Sequence, residues 1–259
     1  MKVSEFQNLE YRVEDRVAYL RLNRPEALNS FSSRLYGEVK WAFRHVSHDD
    51  NVDMAVITGT GRSFATGGDL KETLARLNDT DDPLSMYEFF DRTPWSSLRD
   101  CKKTTIAAIN GICYAGGLIT AALCDISVAA QSASFCIAEA KVGIADQQIP
   151  TILFGRVSPA KLKYYVMTAT PFSPEVAERI GLITEVVPDD QLTSRVSEII
   201  HELKGTSPVA RAEFKGYMNG LIPWPPTDGG ERAFASQAVI EGLTAFAEKR
   251  PVRYDQVSE

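Results

Sequence analysis

The sequence has only three histidines and four cysteines, and neither set has the spacing that holds a metal. His45, His48 and His201 have no Cys or carboxylate arranged beside them at ligand spacing, so no metal site is expected. Cys101, Cys113, Cys124 and Cys136 form no C-x-x-C pair, and three of them lie in runs of apolar or small residues, which read as reduced core thiols. No stretch reaches the roughly 18 uncharged apolar residues a bilayer span needs. The first twenty residues mix acids with apolar residues and show no signal-peptide run, so the chain reads as cytoplasmic. Basic residues are in deficit, with Lys+Arg 28 against Asp+Glu 34 and a net charge of -6. That balance argues against nucleic acid or an anionic membrane surface as partner, and any phosphate-bearing ligand would need local cations. No G-x-S-x-G is present, which removes the serine-hydrolase reading.

What is present is enough to bury a large core: 259 residues, 44% of them hydrophobic. Short β-branched runs at Val17 to Leu22, Met54 to Thr58, Thr105 to Ile109, Ile126 to Ala129 and Leu182 to Val187 alternate with helical patterns. This alternation predicts an α/β fold with mostly parallel strands. Leu35, Val39, Ala42, Phe43 and Val46 recur at helical spacing behind Ser32 and Ser33, either of which suits an N-cap, and Leu192, Val196, Ile199, Ile200 and Leu203 repeat the pattern. Strand signals stop after Pro188. The remainder reads as helices broken by Pro223, Trp224, Pro225, Pro226 and Gly229-Gly230, which divides the chain into a core over 1–188 and a helical C-terminal subdomain over 189–259. Asn78 to Pro83 reads as a mobile loop.

Two glycine-rich segments each follow an expected strand: Gly59 to Lys71, containing Gly67-Gly68, and Gly111 to Gly117, ending in Gly116-Gly117. Neither fits the dinucleotide or phosphate-loop pattern. A strand, a Gly-Gly pair and a helix start nevertheless converge free backbone N–H groups, which suit a developing oxyanion. Asn23 to Asn29 (NRPEALN), Phe64 to Lys71 (FATGGDLK), Ile106 to Gly111 (IAAING), Cys124-Asp125, and Glu241 to Phe246 with Glu248 to Pro251 resemble, in order, the signatures of the enoyl-CoA hydratase/isomerase (crotonase) family. The resemblance implies a crotonase-like spiral of ββα turns with a helical C-terminal region, assembled as a homotrimer or a dimer of trimers. It implies an acyl-CoA substrate, with no cofactor beyond the coenzyme A of the substrate itself. By that resemblance Gly68 and Gly116 form the oxyanion hole, and Ala27, Leu28 and Thr66 seat the coenzyme A. Lys249 resembles a lysine that reaches the nucleotide portion, although a solvated helix face is an equal reading for it.

Hydratases of the family use two glutamates. The second falls at Glu139, whereas Ile119 occupies the first position. Adding water needs one group to activate the water and another to protonate the α-carbon, but shifting a double bond needs a single base. One glutamate opposite Ile119 therefore favours enoyl-CoA isomerisation with Glu139 as acid/base, and apolar surroundings would raise its pKa. The alternatives are a hydratase in which Asp146, Gln147 or Gln148 supplies an acid or holds a water, and a catalytically silent acyl-CoA-binding relative. Asp146 reads equally well as the cap of a helix starting near Pro150. Tyr87 and Tyr114 stand as weaker acyl-group contacts.

Overall fold

The computed structural model describes residues 2–79, 92–225, 234 and 236–257. Thr80 to Pro83 of the expected loop, Tyr87, Pro226 and Gly229-Gly230 lie outside them. Among the described residues the strands are β1 (Leu9–Glu14), β2 (Val17–Leu22), β3 (Met54–Gly59), β4 (Ser63–Ala65), β5 (Thr104–Ile109), β6 (Ile112–Tyr114), β7 (Ile126–Ala130), β8 (Ser134–Cys136) and β9 (Glu185–Val187). A six-stranded sheet runs β1-β2-β3-β5-β7-β9, parallel throughout except for the β1-β2 hairpin, and a small parallel sheet runs β4-β6-β8.

The large sheet is covered on both faces, and its residues divide between them with the period of two a strand imposes. Met54, Val56, Ile106, Ala108 and Val128 face α8 (Leu192–Lys204) through Leu192, Val196, Ile199 and Ile200. Ala55, Ile57, Ala107, Ile109 and Ala129 face the main core, with Phe31, Phe64, Phe135 and the expected helix α1 (Ser33–His48). Ser32 is the N-cap of α1, its hydroxyl accepting from the Leu35 N–H at 3.2 Å. Ser33 turns instead to Glu72 in the first turn of α2 (Leu70–Leu77), which ties the starts of these two helices together. The last of the expected strands is shorter than the apolar run suggests. Leu182 and Ile183 are spent on the core after Gly181, whose φ of 82° turns the chain, and pairing with β7 begins only at Glu185.

The chain coils through three similar turns. β3, β4 and α2 make one, β5, β6 and α4 (Gly116–Leu123) the next, and β7, β8 and a 3-10 turn at Glu139–Val142 the third. Between the first two lies α3 (Trp95–Arg99); α5 (Gln148–Leu153), α6 (Pro159–Thr168) and α7 (Pro174–Arg179) follow the third. After α8, α9 (Pro208–Leu221) docks on β5 through Lys215, whose ammonium donates to Asp125 at 2.8 Å and to the Lys103 carbonyl at 3.1 Å. The final helix α10 (Gln237–Glu248) returns to pack against α2 and the Glu139 turn. All four cysteines are buried and unbridged.

Candidate active site

The three turns place the candidate positions Gly68, Gly116 and Glu139 just after the three strands of the small sheet. Gly68 lies three residues beyond β4, Gly116 two beyond β6 and Glu139 three beyond β8, so all three leave the carboxyl ends of adjacent parallel strands. Neighbouring strands lie about 5 Å apart, which brings the three exits within reach of one small molecule.

The two glycine segments touch. Gly67 has a φ of 89°, and a Cβ added there would come within 2.5 Å of the Ala115 Cβ and 3.1 Å of the Gly116 nitrogen. Ala115 itself is held at φ 50°, ψ -124°, a costly backbone for a residue with a side chain, fixed by its N–H bond to the Cys136 carbonyl at 3.0 Å. This turn aims the Gly116 N–H out of the start of α4. No acceptor among the described residues takes the N–H of Gly68 or of Gly116. The helix α4 places its positive end beside them. A Cβ on Gly117 would sit 2.3 Å from the Ala65 carbonyl oxygen. Gly117→Ala is therefore expected to cost about 1–3 kcal/mol by forcing the two loops apart, read from the midpoint of urea unfolding.

Ala27, Leu28 and Thr66 come together beside this pair, with the Thr66 hydroxyl donating to the Leu28 carbonyl at 3.3 Å. Leu28 and Asn29 both adopt left-handed backbone, at φ 52° and 55°. That strain is held by the buried Asn29 amide, which donates to the Thr60 and Ser63 carbonyls and accepts from the Arg24 N–H. Lys249 is exposed at the C-cap of α10, and no hydrogen bond or ion pair ties it to them. Its neighbours in the C-terminal motif pair with each other, Arg250 gripping Glu241 at 2.7 and 2.8 Å.

Glu139 and Asp146 face one cavity of about 340 Å³, walled by Ile137, Ile144, Ile149 and Val166, with the exposed Met167 beside them. The volume falls at the lower end of the range for small-molecule pockets, about 300–1,000 Å³. Ile119 is not part of its wall; it packs into the main core. Gly143, at φ 73°, reverses the chain between the two carboxylates, and a Cβ on it would strike the Ala238 carbonyl of α10 at 2.5 Å. Burial, and then the nearby charge of Asp146, push the Glu139 carboxyl up to about 8, against the pull of its own and the Ala138 backbone N–H groups. Its Oε2 is buried with no hydrogen-bond partner among the described residues. Asp146 is also raised by burial, opposed by the N–H groups of Gln148 and Ile149. Its Oδ1 accepts from the Gln148 N–H at 2.8 Å, so Asp146 caps the turn into α5 as well as facing the cavity.

Ahead of any chemistry, this architecture has relatives. A family model described as Enoyl-CoA hydratase/isomerase matches residues 12–257. The chain belongs to the enoyl-CoA hydratase/isomerase family. A Mycobacterium bovis protein named "Probable enoyl-CoA hydratase echA8" is 31% identical over 249 residues, covering 93% of this chain and 95% of its own. The crotonyl-CoA hydratase of Syntrophomonas wolfei is 28% identical, covering 96% and 98%. The crystal structure of an enoyl-CoA hydratase from Mycobacterium avium subsp. paratuberculosis superposes with a TM-score of 0.82 over 96% of this chain and 98% of that one, at 23% identity, and speaks for the shared fold.

Within this family member, sequence reasoning missed Tyr36 and Trp95, which crowd the glycine pair. A Cβ on Gly116 would meet the Tyr36 hydroxyl at 3.1 Å and the Trp95 ring at 3.3 Å. Tyr36 shares the apolar periodicity of α1 and so reads as packing; its position against the glycines is visible only in three dimensions. Tyr114 is engaged elsewhere, its hydroxyl 3.0 Å from that of Ser134.

Proposed function

We propose that the protein adds water reversibly across the 2,3 double bond of an enoyl-CoA, with Glu139 and Asp146 dividing the acid/base work. The observation that carries this reading is the second carboxylate in the Glu139 cavity. The sequence holds one glutamate of the family pair, which favours isomerisation; Asp146, seven residues on in the same cavity, makes two carboxylates. Paired groups whose surroundings hold them in different protonation states fall into acid and base roles. Glu139, raised to about 8, keeps its proton at neutral pH and serves as the acid. Asp146 is raised by burial too, opposed by the N–H groups of Gln148 and Ile149, and in this reading it serves as the base.

In the forward step, the ionised Asp146 takes a proton from water as the water oxygen bonds to C3. The electrons of the double bond move toward the thioester, whose oxygen charge is received by the N–H groups of Gly68 and Gly116. Glu139 then gives its proton to C2. Water is thereby divided between the two carbons, and a proton passing from Asp146 to Glu139 resets the pair. A preorganised donor of this kind is worth about 2.7–4 kcal/mol to such a transition state. Coenzyme A lies along Ala27, Leu28 and Thr66 in this reading, with Lys249 toward its phosphates, and the reaction uses no further cofactor. The exposed apolar side chains Phe214, Tyr217, Met218 and Leu221 on α9 support self-association, a trimer or a dimer of trimers being the expected state in light scattering.

A second reading is favoured by Ile119, which leaves the first glutamate position apolar: Glu139 alone shifts a 3-enoyl to a 2-enoyl-CoA. Matched substrates separate the two by the absorbance of the conjugated thioester. Its loss from 2-enoyl-CoA is the expected result; a gain from 3-enoyl-CoA without that loss rejects hydration in favour of isomerisation. Saturable binding with neither change leaves the silent relative.

A further inference from the structure

We infer that the Tyr36 hydroxyl is a third hydrogen-bond donor to the thioester oxygen, joining the N–H groups of Gly68 and Gly116. This rests on the oxyanion site proposed above and deepens it. The hydroxyl is placed against both halves of that site at once: a Cβ added at Gly116 would lie 3.1 Å from it, and one added at Gly68 would lie 3.6 Å away. Among the described residues no other side chain lies near the added Cβ positions of both glycines.

The ring cannot wander from this position. Phe31 stacks on it with centroids 4.7 Å apart and planes 10° from parallel, and Trp95 meets it edge-on at 5.7 Å. Tyr36 is 5% exposed, so a bond made there is made out of water, where a preorganised donor is worth most. Burial, with the charges of Asp146, Glu139 and Glu72 added to it, raises the phenol far above its ordinary range. The group therefore stays protonated wherever the enzyme works and acts as a donor. A phenolic oxygen also accepts, so contact with another protein group is compatible with donation to a ligand.

The test is infrared difference spectroscopy of butanoyl-CoA carrying 13C at the thioester carbon, bound to the full-length protein. Butanoyl-CoA has no double bond to hydrate, so it reports polarisation alone. Wild type is expected to lower the carbonyl stretch, and Tyr36→Phe, which removes only the oxygen, to lose a distinct part of that shift. In the same variant kcat should fall about tenfold to a hundredfold with KM nearly unchanged, the signature of a donor engaged mainly in the transition state. A Tyr36→Phe protein with the full wild-type shift and unchanged kcat overturns the role of Tyr36 while leaving the glycine site standing. A wild-type complex with no shift, or no binding, overturns the site and Tyr36 with it. Substituting 3-fluorotyrosine at position 36, a stronger donor of nearly the same shape, should enlarge the shift; an unchanged shift counts against the inference even if the phenylalanine variant does not fold.

Discussion

Replacing Glu139 with glutamine is expected to lower kcat for 2-enoyl-CoA hydration by about a hundredfold to ten-thousandfold, because it removes the proton delivered to C2. Glutamine has nearly the same shape, so the dissociation constant for butanoyl-CoA should stay within about threefold. The pH dependence has a definite sign. With Glu139 acting as the acid at a pKa of about 8, kcat/KM of the wild type falls as pH rises through that value, and the residual activity of Glu139→Gln lacks this limb.

Stability gives an independent reading of the same group. The Glu139 carboxyl ionises at its ordinary 4.5 in the unfolded chain and at about 8 in the folded one. Its contribution is therefore fully present below pH 4.5 and is lost progressively up to about pH 8, since the unfolded state releases the proton first. Glu139→Gln should melt with the wild type below pH 4.5 and at a higher temperature than the wild type above pH 8. A constant difference in Tm across that range would place Glu139 in an ordinary solvated setting.

Asp146→Asn is expected to lower hydration by about a hundredfold or more, by removing the base that activates water. Asparagine keeps an oxygen for the Gln148 N–H, so the entry to α5 is preserved and the loss is chemical. The substitution also removes the second-largest cause of the Glu139 shift, so the alkaline limb of the profile should move below pH 8. Isomerisation of a 3-enoyl-CoA, if the protein performs it, needs only Glu139 and should survive. Equal loss of both activities with an unmoved limb would assign Asp146 to capping alone.

The parts of this fold that are legible in the sequence are those with enough length to show a period. β2, β3, β5 and β7 carry five or six residues of β-branched or small apolar character, and α1 and α8 repeat their apolar stripes over several turns. β4, β6 and β8 have three residues each, too few for any alternation to register, yet they form the sheet whose ends carry Gly68, Gly116 and Glu139. β1 is equally hidden, since most of its side chains face solvent and include Glu10, Arg12 and Glu14. The glycine pairs were readable because a Gly-Gly between a strand and a helix has few purposes. Asp146 is legible only as one candidate beside Gln147 and Gln148, because seven residues spanning a 3-10 turn and a left-handed Gly143 match no regular period. Asp146 is not the N-cap, which is Gln147; it lies one residue earlier, where one oxygen accepts from the Gln148 N–H in the turn before α5, and it also lines the cavity.

The most direct measurement is the reaction of 2-butenoyl-CoA with the purified protein in D2O, following the conjugated absorbance and the mass of the product. The expected result is loss of absorbance and a 3-hydroxybutanoyl-CoA carrying one non-exchanging deuterium at C2, slowed by either Glu139→Gln or Asp146→Asn. Persistence of the absorbance, with 3-butenoyl-CoA converted to the 2-enoyl form instead, would contradict a water-adding pair and leave Glu139 as a solitary base.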